Sequence, residues 1–172
     1  EGASLVGGRD VCGVVAVARL DASVHLVVVG EGPHRTVLER HAANLEVLRG
    51  RVHFVGGVAD ARLAYATADV MVLASLGGDS MPATLVEAAF CGVPVIATPV
   101  GAITDVIVDG DTGVIVPIGD VDAIATAVTR LLDDPVEARA ISVRARLRSI
   151  QAYDISEVAE KWLSPNLGYR TD

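Results

Sequence analysis

With 172 residues, 51% of them hydrophobic, and a mean hydropathy of +0.47, the chain can bury one sizeable core, and aromatics at 3% leave that core to Val, Leu, Ile and Ala. A net charge of −8 and a pI near 4.9 leave no basic face to neutralise phosphates, which excludes a general nucleic-acid binder. Two distant cysteines, Cys12 and Cys91, without CxxC spacing exclude a disulfide framework and a zinc site, and they fit a reducing, cytoplasmic setting.

In chain order, apolar runs rich in β-branched residues predict strands at 4–6, 25–29, 52–55, 70–74, 93–97 and 114–116. Between them, apolar residues at a period of 3.6 predict helices at 35–44, 61–67, 84–91, 121–132, 135–149 and 156–163. Residues 13–20 are ambiguous, since Val14-Val15-Ala16-Val17 favours a strand by propensity, whereas the alternation asks for a short helix, which is the reading adopted. In the helix at 121–132, Ile124, Val128 and Leu131 share one face and Asp120 is placed to cap the start. Pro135 fits the opening of the next helix, with Asp133-Asp134 closing the turn before it. Strands alternating with helices imply an α/β chain with a doubly wound parallel sheet of Rossmann-like type. Val-rich runs suit strands covered on both faces.

No membrane span is expected, because the most apolar stretch, 83–101, contains Glu87, Gly92, Pro94 and Pro99. The opening Glu1-Gly2-Ala3-Ser4 lacks the basic start of a signal peptide, and the missing initiator Met points to residues upstream. Arg139, Arg144, Arg146 and Arg148 read as a solvated helix face rather than a functional patch.

Ligands of doubly wound sheets bind beyond the carboxyl ends of the strands, so the turns there are the places to search. Gly30-Glu31-Gly32-Pro33 is either a close backbone approach to a ligand or a tight turn; Pro33 fits a first helical position, and Arg35 stands where a dinucleotide fingerprint needs its third glycine. Gly56-Gly57 carries the same two readings, with exposed amides and carbonyls for the edge of a base as the functional one. The run from Gly77-Gly78 through Asp79, Ser80, Met81 and Pro82 into a helix is the most informative. Asp79 and Glu87 have seven residues between them, about 12 Å along a helix, which suits a long hydroxyl-rich phosphate ligand and not one metal ion. Pro82 lacks an N–H, so the amides of Ala83, Thr84 and Leu85 are the donors available to a diphosphate. Glu87 is expected close to the apolar sheet edge, where a carboxylate needs hydrogen bonds of the kind ribose hydroxyls supply. Asp109-Gly110-Asp111 matches a metal-binding DxD but is read as turn chemistry, and His34 and His41 are read as surface residues.

Six segments in order resemble the C-terminal, donor-binding half of GT-B glycosyltransferases, specifically retaining glycosyltransferase family 4 ("group 1"). They are 28–33, 51–56, 68–75, Asp79 to Ala88, 91–98 and 110–117, and the resemblance covers Leu5 to Trp162. It implies that Glu87 matches the second acid of an E-x7-E motif and holds the ribose of a nucleotide sugar, while Asp79 matches the first and contacts the transferred sugar. Arg9 would stabilise the leaving diphosphate. Ala83, Thr84 and Leu85 would meet that diphosphate, the turn with Gly56 and Val58 would flank the base, and Gly8, Ser80 and Met81 complete the binding set. Asp79 stands in place of Glu, and Cys12 in place of a lysine that would be a second cation on the diphosphate.

The resemblance thus implies the donor-binding half of a retaining, metal-independent hexosyltransferase, inactive as this isolated domain. It needs no cofactor, since the NDP-sugar is a substrate. Its partners would be that donor, an unknown sugar, lipid or small-molecule acceptor and a missing N-terminal domain, with no nucleic acid and with peripheral membrane association allowed. Residues 1–152 would form the nucleotide-sugar-binding domain and 153–172 a helix and tail packing back on the missing half. The alternatives are a non-catalytic nucleotide-sugar-binding remnant, motivated by Cys12 and by a first helix short by about a turn, and another GT-B enzyme such as a nucleotide-sugar epimerase.

Overall fold

The computed structural model describes residues 4–7, 11–77 and 83–153. The elements run β1 (Ser4–Gly7), α1 (Val11–Val17), β2 (His25–Val29), α2 (Arg35–Asn44), a 3-10 turn (Glu46–Leu48), β3 (Val52–Gly56), α3 (Arg62–Ala66) and β4 (Val70–Leu73). They continue with α4 (Ala83–Cys91), β5 (Val95–Ala97), α5 (Ile103–Val106), β6 (Val114–Ile115), α6 (Val121–Asp133) and α7 (Pro135–Tyr153). The strands form one sheet in the order β3-β2-β1-β4-β5-β6, and every pairing is parallel. The α/β, doubly wound expectation therefore holds.

Burial explains why the strands are apolar throughout. All four residues of β4 are buried. Val70 and Val72 join a cluster with Val14, Val17, Leu38, Ile124 and Val128 from α1, α2 and α6, whereas Met71 and Leu73 join Tyr65, Leu85, Ala88 and Ile103 from α3, α4 and α5. A strand with an apolar layer on each face cannot alternate polar and apolar residues. At the outer edge of the sheet the constraint relaxes, and His53 and Val55 of β3 are exposed.

The ambiguous segment is helical, because Val14 and Val17, three positions apart, are both driven into the core, and tertiary burial overrides β-propensity. Ile124, Val128 and Leu131 are buried on one face of α6, and Asp120 caps that helix by accepting from the Ala123 amide at 2.8 Å. Asp134 does the same for α7, accepting from Val136 and Glu137 at 3.1 and 2.9 Å, so Pro135 sits at a first position where its missing N–H costs nothing.

Several expectations need correction. Pro33 does not open α2; Arg35 does, after its amide closes a turn on the Gly32 carbonyl at 3.2 Å. The strand expected at 93–97 begins at Val95, since Pro94 has no N–H to give, although its carbonyl accepts from Met71 at 2.9 Å. The single-turn elements Glu46–Leu48 and α5 are too short to show a period. α7 extends past 149 to Tyr153, and the helix expected at 156–163 lies outside the described residues. Among the described residues no helix is long and apolar enough to cross a membrane.

Gly113 enters β6 where a side chain has no room. An added Cβ would lie 2.8 Å from Ile107 Cγ2 and 3.1 Å from the Val95 carbonyl oxygen. The Ile107 methyl can move, but the strand carbonyl cannot. Gly113→Ala is therefore expected to cost about 1–3 kcal/mol, read as a lower urea midpoint with an unchanged slope.

Candidate functional site

In a parallel sheet every strand ends on the same edge. Here the order reverses between β1 and β4, so the crevice between their carboxyl ends is the topological switch point. β1 ends at Gly7 and is followed in the chain by α1; β4 ends at Leu73 and is followed by α4. Gly8, Arg9, Asp79, Ser80 and Met81 belong to these two connections and lie outside the described residues.

The exit from β4 is tied down from β5. Thr98 is fully buried, and its hydroxyl donates to the Ser75 carbonyl at 2.6 Å while its amide donates to the Leu73 carbonyl at 3.1 Å. A buried hydroxyl satisfied in this way fixes where the connection toward α4 begins.

On α4, Ala83 and Thr84 are exposed and Leu85 is buried. Leu85 belongs to the core by its side chain, so it can offer a ligand its backbone only. Glu87 is exposed, contrary to the expectation of a carboxylate close to the apolar sheet edge. Leu85, Ala88 and Ala89 occupy the inward side of the helix, and position 87 falls outside that arc. Its Oε2 accepts a hydrogen bond from the Tyr65 hydroxyl at 3.1 Å, and the same hydroxyl lies 3.3 Å from the Thr84 carbonyl oxygen. Burial and the Glu87 carboxylate both push the Tyr65 hydroxyl above its ordinary pKa, which keeps it protonated and donating. Sequence reasoning missed Tyr65. The available signal was an aromatic residue in a chain with three tyrosines and one tryptophan, placed in a short helix.

Tyr65 stands on α3, and Asp60 ties down the start of that helix. Its carboxylate accepts from the Arg62 amide at 3.0 Å and pairs with the Arg62 guanidinium at 2.7 Å. The Arg62 side chain, then its amide, draw the Asp60 pKa down to about 2 from 3.8. Because the folded value is depressed, this contribution is complete above pH 4 and is lost as pH falls through about 2. A carboxyl carbon titration by NMR is expected to place the Asp60 midpoint near 2, and Arg62→Gln should return it toward 3.8.

At the carboxyl ends of β2 and β3, Glu31 joins the two glycine turns. It pairs with Arg35 at 2.8 Å and accepts from the Gly57 amide at 3.3 Å, while the Gly30 amide donates to the Gly56 carbonyl at 2.8 Å. Gly56 has φ +75°, which favours glycine, and a Cβ there would fall 2.6 Å from Glu31 Oε1, so a side chain would push the Glu31 carboxylate off the turn. The Gly57 amide, read from sequence as open to a base, is thus already engaged. Val58 follows, exposed, and a shallow depression runs beside the turn between Gly30, Glu31, Arg35 and Phe54.

Elsewhere the expected structural readings hold. Asp109 accepts from the Ile115 amide at 2.9 Å, Asp111 pairs with Arg144 at 2.6 Å, and Gly110 turns with φ +73°, so the DxD is a turn. His34, His41, Arg139, Arg146 and Arg148 are exposed. Cys12 is partly buried and packs against the core beneath α1.

The family model for Glycosyl transferases group 1 matches residues 13–134. The chain is 39% identical over 129 residues to the GDP-mannose-dependent alpha-(1-6)-phosphatidylinositol monomannoside mannosyltransferase of Mycolicibacterium smegmatis, a stretch covering 70% of this chain and 34% of that protein. It is 36% identical over 140 residues to the phosphatidyl-myo-inositol mannosyltransferase of Mycobacterium leprae, covering 80% and 36%. The chain therefore spans about a third of the length of these curated relatives. Among solved structures, HepE of Anabaena in complex with UDP-glucose superposes with a TM-score of 0.85 at 22% identity, over 91% of this chain and 46% of that one. The fold is that of the C-terminal half of a GT-B glycosyltransferase.

Proposed function

The chain belongs to the group 1 glycosyl transferases, and from that premise we propose that it is the donor-binding half of a retaining, metal-independent transferase that uses a nucleoside diphosphate sugar. The observation that carries the reading is the position of Glu87. It stands on the helix entered from the switch-point strand β4, with one carboxylate oxygen held by Tyr65 and with solvent access for a ligand. A solvated acid there can accept hydrogen bonds from the two hydroxyls of a ribose. Amides in the first turn of α4 have no acceptor within their own helix and suit the diphosphate. Asp79 would contact the sugar and Arg9 the leaving diphosphate, with Gly8, Ser80 and Met81 beside them and the turn at Gly56 and Val58 near the base.

The relatives support a nucleoside diphosphate as the shared chemistry. One is named for GDP-mannose, and the structural neighbour is a complex with UDP-glucose. In this reading residues 1–152 bind the donor, 153–172 reach toward an N-terminal half that binds the acceptor, and the whole works in the cytoplasm without a cofactor. The isolated chain would bind nucleotide and turn over little, because the acceptor side of the cleft belongs to that other half. Calorimetric titration with UDP, GDP and ADP tests the proposal. Binding of at least one is expected, and binding no better to wild type than to Glu87→Ala would remove the basis for the donor site.

A second reading, a non-catalytic binding remnant, is favoured by Cys12. Its thiol packs against the core at the start of α1 and offers no cation to a diphosphate. Cys12→Lys in a full-length protein separates the two: a large gain in transfer favours an impaired enzyme.

A further inference from the structure

Tyr65 has no place in the sequence-derived site, yet its geometry is specific. The residue is 5% exposed, its ring sits in the cluster beneath α4, and its single hydroxyl proton faces two acceptors within one turn of that helix. Thr84 and Glu87 are three positions apart, so they lie on one side of α4, and the hydroxyl meets both at once. Among the described residues, the Glu87 side chain is hydrogen-bonded by Tyr65, which engages only Oε2. Oε1 retains its capacity to accept.

We infer that Tyr65 is a positioning residue for the nucleotide site: its hydroxyl holds Glu87 Oε2 so that Oε1 is presented to the hydroxyls of the ribose. The inference rests on the ribose role proposed above for Glu87. An exposed glutamate has three rotatable side-chain bonds, and a ligand that must immobilise all of them loses affinity to that entropy. A buried phenol rooted in the core has little freedom of its own, so it can restrain the carboxylate before the ligand arrives. The Thr84 carbonyl then serves a second purpose. It keeps the hydroxyl on α4 at the turn where the glutamate stands, rather than leaving it to follow the carboxylate into solvent.

Tyr65→Phe removes the hydroxyl and leaves the ring to fill the core. The test is calorimetry with UDP, GDP and ADP, each alongside its 2′-deoxy counterpart, on wild type, Tyr65→Phe, Glu87→Gln and the double variant. Wild type is expected to prefer the ribonucleotide. In Tyr65→Phe the ribonucleotide should weaken about three- to tenfold, the size expected from releasing one restrained side chain, while the 2′-deoxy form changes little. In the Glu87→Gln background the tyrosine change should add nothing further.

A merely structural tyrosine would weaken both nucleotides equally, and that result overturns the inference. The 2′-deoxy affinity thereby reports on folding within the same experiment. If Glu87→Gln collapses the ribose preference while Tyr65→Phe preserves it, the inference fails and the ribose role of Glu87 stands. If Glu87→Gln leaves the preference intact, the ribose role itself falls and the inference falls with it.

Discussion

Glu87→Ala is expected to raise the dissociation constant for the preferred nucleoside diphosphate by about 10- to 100-fold, since a hydrogen bond to a charged group is worth about 1.5–3 kcal/mol. The sign of the change is informative. The chain carries a net charge of −8, and the proposed ligand is an anion, so deleting a carboxylate should by long-range electrostatics improve binding. A loss can therefore be assigned to direct acceptance from the ligand, not to the general field. Stability should scarcely move. Glu87 is exposed, and after its removal the buried Tyr65 hydroxyl still has the Thr84 carbonyl 3.3 Å away, so no donor is stranded. Isothermal titration paired with a urea melt reads both quantities. Weaker binding with an unchanged midpoint is the expected pair, and a fallen midpoint would point to a structural role instead.

Arg51→Ala should do the reverse, lowering stability by about 3–5 kcal/mol. Arg51 is 6% exposed and makes no ion pair within 4 Å among the described residues; its guanidinium is spent on carbonyl oxygens. Nε donates to Val24 at 3.0 Å, Nη1 to Val47 at 3.3 Å, and Nη2 faces Val17, Leu20 and Asp21 at 3.0, 3.2 and 2.6 Å. Val17 closes α1, so the cation meets the negative end of that helix and binds it to Val24, just ahead of β2, and to Val47 within the 3-10 turn. Truncation leaves several carbonyls facing a cavity. A drop in melting temperature of about 10 °C follows for a domain of this size. Arg51→Lys should recover only part of it, because an ammonium cannot reproduce the planar fork. If Lys restored wild-type stability, charge alone would be the cause and the fork geometry irrelevant.

These two residues show how unevenly the molecule could be read. Glu87 was legible because its signal is local: an acid at a fixed spacing from Asp79 on a helix that follows a strand and a glycine turn. Arg51 and Tyr65 were not. Arg51 precedes a strand as any surface arginine does, and its acceptors other than the nearby Val47 come from segments 27 to 34 residues away. Tyr65 meets partners 19 and 22 residues on, beyond β4, and nothing at position 65 announces them. Glu87 itself was placed too close to the sheet edge, because a helix's rotation is set by which residues the core accepts. Leu85, Ala88 and Ala89 took that side.

The sequence by itself determined the class of fold, the strand and helix alternation and the candidate acid on α4. Each of these follows from local composition, from periodicity in apolar residues, or from a motif whose parts are neighbours in the chain. Only the tertiary structure decided the strand order that makes β1 and β4 the switch point, the occupation of the Gly57 amide by Glu31, and the two buried polar side chains that hold helix ends in place. Those depend on which distant segments meet. A hydrogen bond or an ion buried by such a meeting is costly to break, yet it leaves no periodic trace in the chain that makes it.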